Sequence, residues 1–484
     1  MKLLSNRDIH LTPSGIVHTL FFVGLIGMAI SLVTQHWLIF FAFTALPITL
    51  LTLLFAIEKP IFSYALYGII ACYFSAIYRY GEVEGLSGIL DIFLIFCAFS
   101  ILINVISNRN SYIWTLGFNI FTVTYIIWLV YCILILLTPH AKVNDLIAYR
   151  GVFIGTPLCY FISAILLCST KKLKITLLLL CLFVLTAACK LYWQKTHGWD
   201  SVELRWLVNG AWQTHLLQTG IRYFSFFSDA GNFGSNMGML FTVLGITGFV
   251  SRNRIFQVVC LVAATLACIG MMMSGTRGAM IVPLGGIALY LLLSKNIKHI
   301  AIAATAGAMA FCFFYFTNIG NGNPVIHRMR TAFRPTEDAS FNVRLENQKR
   351  FAYYLKDKPF GVGVGGNIVD TDQLMKLDEE YIPTDSFYVG IWVEGGIVGL
   401  CLYITLQVIV LLRCAYLILF KIKNRQLANI LAALVCGVFG VWLNGYVGRG
   451  MAMNPTSFLI AVFLSFVLNG PYIDRQLKPE EKIL

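Results

Sequence analysis

Apolar runs long enough to cross a membrane follow one another along almost the whole of this chain. A helix that spans a bilayer needs about 20 mostly apolar residues. By that measure the sequence predicts about fourteen spans, at 15–34, 37–56, 61–79, 86–106, 112–138, 152–169, 173–193, 231–250, 255–273, 278–294, 299–317, 386–412, 426–443 and 455–469. Only 12% of the residues are charged, whereas a soluble chain carries about 25%. We therefore expect an all-α polytopic membrane protein with about 12–14 transmembrane helices.

The positions of Lys and Arg predict how these spans are oriented. Short cytoplasmic loops carry an excess of both residues. If the N-terminus lies in the cytoplasm, every inside segment has at least one cation, and the turns near 35, 82 and 140 have few. We therefore expect both termini in the cytoplasm. Two long outside segments, 194–230 and 318–385, are basic, which the rule permits for long loops.

These features divide the chain into five regions. N-terminal transmembrane helices occupy 1–193, a first periplasmic segment 194–230, central transmembrane helices 231–317, a large periplasmic loop with short helices 318–385, and C-terminal helices with a cytoplasmic tail 386–484. The basic outside segments fit either a solvated cationic surface or a site for an anion such as a phosphate. The 13 cysteines and 8 histidines show no metal-ligand spacing, so neither a metal nor a disulfide framework is predicted.

Polar residues gather in motifs on the predicted outer side. In IRYFSFFSDAGNFGSNMGML, residues 221–240, Arg222, Asp229 and Asn232 lie among aromatic residues and glycines. Glycine lets the backbone approach a ligand or a neighbouring helix closely. Helix packing through small residues explains the glycines equally well, but it does not explain Arg222.

A second motif is the turn SGTRG, which contains Ser274, Thr276 and Arg277 between two apolar spans. A cation so close to the hydrocarbon either extends to the lipid headgroups or faces a polar cavity. The flanking glycines hold the guanidinium beside open backbone N–H groups. That arrangement suits a phosphate, which arginine can bind through two parallel hydrogen bonds.

The large outside loop contains a helical pattern followed by a glycine-rich run. Residues 343–355 are amphipathic, with an apolar face formed by Leu345, Phe351, Ala352 and Leu355. The run GVGVGGN follows a helix and Pro359 rather than a strand, which excludes a dinucleotide-binding loop. We expect a flexible, close-packed turn that leads back to the membrane.

Two carboxylates stand in PTDSFYVGIWVEGGIVGL, residues 383–400. Asp385 lies at the junction of loop and membrane, where partial desolvation raises the pKa of a carboxyl group and makes it a better base. Glu394 follows nine residues later, about 13 Å further along a continuous helix. We expect Glu394 to be structural and to pair with a polar or cationic group inside the bundle.

Together these motifs resemble those of the O-antigen polymerase/ligase superfamily, whose members are integral membrane glycan transferases. SGTRG, KPFGVGVGGN, DSFYVGIWVEGGIVGL and RYFSFFSDAGNFGSNMG stand in the family's order within residues 222–400. The first seven spans are similar only in hydropathy. In place of the Asp-Pro-Asn of many members, this chain has Asp229-Ala230-Gly231-Asn232.

The resemblance implies a membrane glycosyltransferase that needs neither a cofactor nor a nucleic acid. It would take a glycan from an undecaprenyl-pyrophosphate carrier at the periplasmic face of the inner membrane. The acceptor hydroxyl would belong to another lipid-linked glycan (polymerase), to the lipid A core (ligase) or to a protein side chain (protein O-glycosylation). Ligases typically carry His where this chain has Asp385, which favours the polymerase.

The resemblance also implies roles for particular residues. Arg222 and Arg277 would hold the pyrophosphate, and Arg344 would add a further cation from the large loop. Substrate binding would also involve four polar residues of the two motifs, namely Asp229, Asn232, Ser274 and Thr276.

The chemistry of the residues leads to the same catalytic groups. Cleavage of a sugar–pyrophosphate bond builds negative charge on the leaving group, so fixed cations such as Arg222 and Arg277 lower the barrier. Asp385 would accept the proton of the acceptor hydroxyl. A transporter or flippase of lipid-linked glycans is the rival class, but such proteins usually show repeats and broken helices at mid-membrane. A peptidoglycan glycosyltransferase of the shape-and-division type has a similar plan but not the SGTRG and KPFGVGVGG motifs.

Overall fold

A computed structural model confirms that the chain is an all-α polytopic protein. It describes residues 26, 54–82, 85–107, 112–136, 150–217, 220–294, 297–333, 339–363, 376–377, 380–381, 384 and 386–477. The contacts divide the chain into two compact units. One unit comprises residues 1–65 and 96–111, and the other comprises residues 66–95 and 112–484.

The described α-helices have the following bounds: α1 Pro60–Cys72, α2 Phe74–Gly81, α3 Leu86–Ile106, α4 Ile120–Leu136, α5 Thr156–Leu166, α6 Thr170–His197, α7 Ser201–Trp206, α8 Trp212–His215, α9 Ala230–Val250, α10 Arg254–Met273, α11 Ile281–Leu293, α12 Ile297–Phe316, α13 Pro324–Arg330, α14 Ala339–Tyr354, α15 Phe387–Tyr416, α16 Arg425–Asn444, α17 Thr456–Leu468 and α18 Gly470–Arg475. Single turns of 3₁₀ helix occupy Trp114–Leu116, Arg277–Met280, Thr331–Phe333 and Gly450–Ala452. π-Helical turns occupy Gly151–Gly155, Leu207–Ala211 and Leu417–Lys421.

Two short antiparallel hairpins complete the described structure. β1 (Leu216–Leu217) pairs with β2 (Gly220–Ile221), with Leu216 opposite Ile221. β3 (Lys376–Leu377) pairs with β4 (Glu380–Tyr381), with Lys376 opposite Tyr381. The first hairpin lies just before Arg222 and fixes where that residue leaves the strand.

Six described helices are long and apolar enough to cross a membrane. They are α3, α6, α9, α10, α16 and the stretch Phe387–Lys421 that includes α15. The pair α1 and α2 would form a seventh, with a bend of 66° between them. The predicted spans 86–106, 231–250, 255–273 and 426–443 agree with α3, α9, α10 and α16 to within one residue at each end. The predicted spans 15–34 and 37–56 lie largely outside the described residues.

In the smaller unit, polar side chains bind the end of one helical stretch to α3. Ser100 Oγ donates to the carbonyls of Ala56 and Ile57 at 3.0 and 2.9 Å, and Asn104 Nδ2 donates to Ile57 at 2.6 Å. The carbonyls of a helix C-terminus have no partner within the helix, so these side chains satisfy them in a buried setting.

In the larger unit, α9, α11 and α16 pack through small residues. A Cβ atom on Gly440 of α16 would lie 2.2 Å from the carbonyl oxygen of Val282 in α11. A Cβ atom on Gly286 of α11 would lie 2.9 Å from the carbonyl oxygen of Cys436 in α16. The two backbones therefore touch, as in membrane helices whose interfaces are built from glycine and alanine. This rigid core carries the polar end of the bundle described below.

The helix α15 folds back on itself. Gly396 has φ +65° and ψ −174°, outside helical values. The Phe387 ring lies 5.7 Å from that of Tyr403, and the Tyr388 hydroxyl donates to Gln407 Oε1 at 3.0 Å. In a straight helix the nineteen residues from Tyr388 to Gln407 would separate them by about 28 Å. Residues 387–395, here called the N-terminal arm, therefore run back along the rest of α15.

This break corrects one prediction. The expected continuous span at 386–412 was wrong, because the helix breaks at Gly396. Glu394 lies two residues before the break, in the helical part of the N-terminal arm, and it is buried. The physical reason is Gly396, because only glycine adopts its backbone conformation without strain.

The backbone of the glycine-rich run packs directly against the backbone of α15 at the break. The N–H groups of Val362 and Gly363 donate to the carbonyls of Val393 and Glu394, each at 3.0 Å, and Val398 N–H donates to Pro359 O at 3.2 Å. A Cβ atom on Gly396 would lie 2.0 Å from that Pro359 oxygen. The predicted close-packed turn is confirmed for residues 359–363, and residues 364–367 lie outside the described part.

The loop helix α14 docks on the N-terminal arm. Phe351 and Leu355 are buried against Val389 and Val393 of the arm. These two residues of the predicted apolar face are therefore confirmed, whereas Leu345 is 38% exposed and Ala352 is also exposed. The apolar contact fixes the direction in which α14 points the residues one and two turns before Phe351.

Candidate functional site

Arg222 is held in place where the first hairpin ends. Its backbone N–H donates to the carbonyl of His215 at 2.9 Å, which extends the β1–β2 pairing by one step. Its guanidinium donates from Nη1 to Thr214 O and from Nη2 to Thr276 Oγ1, both at 2.9 Å. The Nε atom is buried and has no hydrogen-bond partner among the described residues. Arg222 therefore keeps one donor for a ligand or a water molecule.

The SGTRG turn places two arginines against one glycine. Gly275 has φ +59°, a conformation that favours glycine. A Cβ atom there would lie 2.9 Å from Arg222 Cγ and 3.5 Å from both Cδ and Nε of Arg328. Arg328 Nε donates to the Gly275 carbonyl at 2.6 Å. The missing side chain of Gly275 thus makes room for two cationic side chains to meet.

Arg277 and Arg344 complete the group. Arg277 begins the 3₁₀ turn before α11 and donates from Nη1 to Thr331 Oγ1 at 3.2 Å. Arg344 lies on α14, and its Nε is buried without a hydrogen-bond partner in the described structure. Arg222, Arg277, Arg328 and Arg344 are here called the arginine cluster.

Like charges meet in the arginine cluster. Burial lowers the pKa of the Arg222 guanidinium, the Asp229 carboxylate raises it, and the like charges of Arg277 and Arg344 lower it. An arginine stays protonated nonetheless, so the repulsion persists as an unfavourable energy. An anion placed among these groups would remove that energy.

Asp229 and Asn232 begin the helix α9. Asp229 Oδ1 accepts from the N–H groups of Gly231 and Asn232 at 2.7 and 3.0 Å, and its Oδ2 accepts from Ser228 Oγ at 2.8 Å. The carboxylate is thus the N-cap of α9. Its negative charge also stabilises the nearby Arg222 guanidinium and raises the pKa of that group.

The two hydroxyl residues of the turn join it to α9. Thr276 Oγ1 donates to Ala230 O at 2.9 Å while it accepts from Arg222. Ser274 is fully buried, donates to Met271 O at 2.7 Å and accepts from the Thr276 N–H at 3.2 Å. Thr276 therefore touches the arginine cluster, whereas Ser274 braces the turn from within.

Asn232 belongs to a buried amide network. Its Nδ2 donates to Ser228 Oγ at 2.9 Å and to Asn454 O at 3.1 Å, and its Oδ1 accepts from Asn236 and Thr456 at 2.7 and 3.2 Å. It is 1% exposed. Its contacts are those of a residue that fastens α9 to α17.

The structure therefore brings together Arg222, Thr276, Arg277 and Arg344 of the predicted site. Asp229 and Asn232 lie beside them as a helix cap and a packing group, and Ser274 lies beneath the turn. Glu394 lies in another wall of the bundle and is buried. Asp385 lies outside the described residues, between the buried Thr384 and Ser386, and Ser386 caps α15.

Sequence reasoning missed Arg328 and the support beneath Arg222. Arg79 is buried, lies 4.4 Å from the Trp206 ring centroid and donates to Phe227 O at 2.7 Å and Ser228 O at 3.1 Å. His215 Nδ1 lies 2.9 Å from Ala211 O, and its Nε2 accepts the Ala230 N–H at 3.1 Å. No short motif marks these residues, because their partners are distant in the sequence.

The segment that joins α16 to α17, residues 445–455, was also missed. Tyr446 Oη donates to Gln348 on α14 at 3.3 Å, and Gly445 O accepts from Ser386 Oγ at 3.1 Å and from Phe387 N–H at 2.9 Å. Asn454 O binds Asn232, as described above. This connecting segment thus lies between the loop helix, the N-terminal arm and the start of α9.

The functional comparison that bears on this site is with known protein families. Residues 261–404 match the O-antigen ligase family. The matched stretch includes the SGTRG turn, the large loop with α14, and the N-terminal arm. Comparison with curated proteins gives no significant match.

The family match supports an activity of the O-antigen ligase or polymerase type, with a lipid-linked glycan donor and an acceptor as substrates in general. It covers the Arg277, Arg328 and Arg344 members of the arginine cluster, while Arg222 comes from the segment before it. It confirms the resemblance inferred from the motifs. Residues 261–404 are therefore similar to the O-antigen ligase family, in agreement with the resemblance of the motifs.

Proposed function

We propose that this chain transfers a glycan from an undecaprenyl-pyrophosphate carrier to an acceptor hydroxyl, at the periplasmic face of the bacterial inner membrane. The observation that supports this most is the convergence of Arg222, Arg277, Arg328 and Arg344 around the SGTRG turn. Guanidinium groups that meet at one turn suit a pyrophosphate, whose oxygens accept many hydrogen bonds. Both termini would lie in the cytoplasm.

In this proposal the arginine cluster stabilises the leaving group. As the bond between the sugar and the pyrophosphate breaks, negative charge grows on the phosphate oxygens. Fixed cations in a partly buried site stabilise that charge without reorganising, which lowers the barrier. Arg222 and Arg277 are the catalytic cations, and Arg344 and Thr276 bind the same pyrophosphate. The arginines thus have the role that a metal ion has in other transferases.

Asp385 is the proposed base. It would accept the proton of the acceptor hydroxyl as the oxygen attacks the anomeric carbon. Its neighbours Thr384 and Ser386 are buried, and Ser386 O–H and the Phe387 N–H both bind the carbonyl of Gly445. We expect Asp385→Asn to bind the donor normally and to turn over at least about tenfold more slowly. Normal turnover by that variant would eliminate Asp385 as the base.

Transfer by the purified full-length protein tests the proposal. The assay contains undecaprenyl-pyrophosphate-linked glycan from a producing strain and the matching acceptor. We expect Arg277→Ala to lose about 100-fold in rate or more, in line with the loss of one group that stabilises a transition-state charge. The matched control is Arg205→Ala, because Arg205 is 63% exposed and pairs with the equally exposed Glu82. Transfer by Arg277→Ala at the wild-type rate would overturn the leaving-group role.

The surface glycan of a deletion strain separates the two acceptors. If the chain is a polymerase, the gel retains the core with one repeat unit and loses all long chains. If it is a ligase, polymer accumulates without attachment to lipid A. Asp385 in place of the ligase-type His favours the first outcome, and modification of a protein side chain is the remaining alternative.

A further inference from the structure

A cavity of about 600 Å³ lies inside the larger unit, apart from the arginine cluster. Its walls come from α1, α3, α4, α5 with the π-helical turn before it, both parts of α15, α16, α17 and the connecting segment 445–455. Pockets that bind small molecules occupy about 300–1,000 Å³. The volume is therefore that of a binding site rather than of a packing defect.

The aromatic lining of the cavity is unusual for a space between membrane helices. Tyr125, Trp128, Tyr403 and Trp442 all face it. The rings of Trp128 and Tyr403 are 4.8 Å apart at 67°, so they form a corner rather than a flat wall. Rings of this kind offer an apolar face together with a polar edge.

The charged lining is balanced, in contrast to the arginine cluster. Asp91 and Arg150 form an ion pair of 2.8 Å on one wall, and Glu394 and Arg449 contribute one charge of each sign elsewhere. Two carboxylates and two guanidinium groups suit neither a phosphate nor a bare hydrocarbon chain. They suit a neutral ligand with many hydroxyl groups, which both donates and accepts hydrogen bonds.

Gln407 is the polar side chain on the lining whose hydrogen bonds are least satisfied in the described structure. Its Oε1 shares the single proton of the Tyr388 hydroxyl with Trp442 O, at 3.0 and 2.9 Å. Its Nε2 is buried and without a hydrogen-bond partner among the described residues. A buried amide nitrogen of this kind costs about 1–3 kcal/mol unless a ligand or water satisfies it. Gln407 lines the cavity, so a ligand there can accept its hydrogen bond.

The connecting segment links the cavity to the arginine cluster. Arg449, Met453 and Asn454 line the cavity, while Asn454 O binds Asn232 at the start of α9. A Cβ atom on Gly450 would lie 3.8 Å from both Cα and Oδ1 of Asn232. One short segment therefore separates a site suited to pyrophosphate from a cavity suited to a neutral ligand.

We propose that this cavity binds sugar rings of a substrate glycan, with Gln407 and Arg449 as specificity-determining residues. The inference rests on the proposed function, because a glycan substrate has both an anionic carrier group and neutral sugars. Sugar rings present apolar C–H faces to the aromatic corner and hydroxyl edges to Gln407, Glu394 and Arg449. The sugars belong either to the donor or to the acceptor, and the experiment distinguishes the two.

The experiment measures kcat and KM of the purified full-length protein for both substrates. Gln407→Leu removes the amide, while the Tyr388 hydroxyl keeps its bond of 2.9 Å to Trp442 O. Arg449→Met removes the charge. We expect KM for one substrate to rise about tenfold in each variant, with kcat within about threefold of wild type. A rise for the donor alone assigns the cavity to the donor sugars, and a rise for the acceptor alone assigns it to the acceptor sugars.

The controls separate sugar binding from phosphate binding and from misfolding. Unglycosylated undecaprenyl pyrophosphate carries the charged group without sugars, so its inhibition constant should stay unchanged in Gln407→Leu. Thr405→Val on the exposed side of the same helix and Arg413→Met, also exposed, should match the wild type in both KM values. Unchanged KM values in both test variants, or weaker inhibition by the bare carrier, would overturn the inference.

A binding measurement keeps the inference separate from the proposed function. Trp128 and Trp442 line the cavity, so glycan released from the carrier by mild acid should change the tryptophan fluorescence in a saturable way. Gln407→Leu should weaken that binding about tenfold. Binding without any transfer activity would overturn the proposed function alone, whereas transfer without binding of the free glycan and with unchanged KM values would overturn the inference alone.

Discussion

Two clusters of charged residues lie near the start of α9. The first joins charges of opposite sign, and the second brings charges of the same sign together. In the first, Lys190 Nζ lies 2.9 Å from each of Asp200, Glu203 and the Tyr80 hydroxyl, and Gln194 binds Glu203 at 2.7 Å. In the arginine cluster, the like charges of Arg277 and Arg344 act on Arg222, and the Nε atoms of Arg222 and Arg344 have no partner in the described structure. The first cluster pairs opposite charges, whereas an anion bound in the second would relieve the repulsion among its cations.

The difference between the two clusters indicates which charged residues stabilise the fold and which serve function. A buried pair with every hydrogen bond made stabilises the fold against loss of either partner. A group of like charges destabilises the fold slightly and persists where a ligand compensates it. Substitutions in the two clusters should therefore separate stability from activity.

The largest effect on stability is expected in the first cluster, around Lys190. Glu203 is fully buried, and Glu203→Ala leaves Lys190 and Gln194 without that partner. We expect a loss of about 3 kcal/mol in the free energy of unfolding, because removing one partner strands the other in a buried setting. Thermal and denaturant unfolding of the purified protein measure it. Glu82→Ala, at the exposed ion pair with Arg205, is the control and should cost less than about 1 kcal/mol.

The second effect concerns Arg222, where we expect a large loss of activity and little loss of stability. Arg222→Met should lower glycan transfer about 100-fold, or about 2.7 kcal/mol in the barrier, because a fixed cation beside the leaving group is lost. Its melting temperature should stay within about 2 °C of wild type, because the lost hydrogen bonds are offset by relief of the repulsion from Arg277 and Arg344. If Arg222→Met lost as much stability as Glu203→Ala, Arg222 would be structural. The proposed division between a stabilising cluster and a functional cluster would then be wrong.

A third, smaller effect tests whether the convergence of the arginines matters. Gly275→Ala places a Cβ atom 2.9 Å from Arg222 Cγ at a residue with φ +59°. The flexible Arg222 side chain can move away, so we expect a folded protein with a loss of about 1 kcal/mol in stability and about tenfold in transfer rate. Gly322→Ala, where a Cβ atom would meet nothing within 4 Å, is the matched control. Full activity of Gly275→Ala would separate the cluster geometry from catalysis.

The smallest effect is a pH dependence carried by His215. Burial lowers the pKa of this imidazole, as do the charges of Arg222 and Arg79. Its pKa in the folded state therefore lies below the unfolded value of about 6.5. The contribution of neutral His215 to stability is full above about pH 6.5 and is lost as the pH falls through the folded pKa, since Nε2 must then give up the Ala230 N–H.

Melting curves between pH 7.5 and 5 would measure this effect, over a range set by the unfolded pKa of about 6.5. We expect the melting temperature of the wild type to fall with acidification, and the fall to be smaller in His215→Gln. His197→Gln is the control, because the His197 side chain is exposed. An unchanged slope in His215→Gln would show that protonation of this imidazole does not matter to the fold.

Much of the site was predictable as a list of residues but not as an arrangement. Arg222, Arg277 and Arg344 stand out in the sequence because arginine is rare in apolar surroundings. Arg328 and His215 do not stand out, since nothing local marks a cation that binds Gly275 O or an imidazole that accepts the Ala230 N–H. Their roles come from contacts across 53 and 15 residues of chain.

The sequence by itself determined the class of the protein and the positions of α3, α9, α10 and α16. Apolar length is a local property, and a helix in a membrane must satisfy its own backbone. The motifs also predicted the resemblance to the O-antigen ligase family, which the match over residues 261–404 confirmed.

Only the tertiary structure decided where α15 breaks. It also decided that the connecting segment lies between the arginine cluster and the cavity. The sequence VEGGIVG fits a straight apolar helix, and the fold-back at Gly396 depends on the crossing by Pro359–Gly363. The cavity likewise needs Asp91, Gln407 and Arg449 to meet from three parts of the chain. Such arrangements follow from long-range packing, which no local pattern of hydrophobic and polar residues contains.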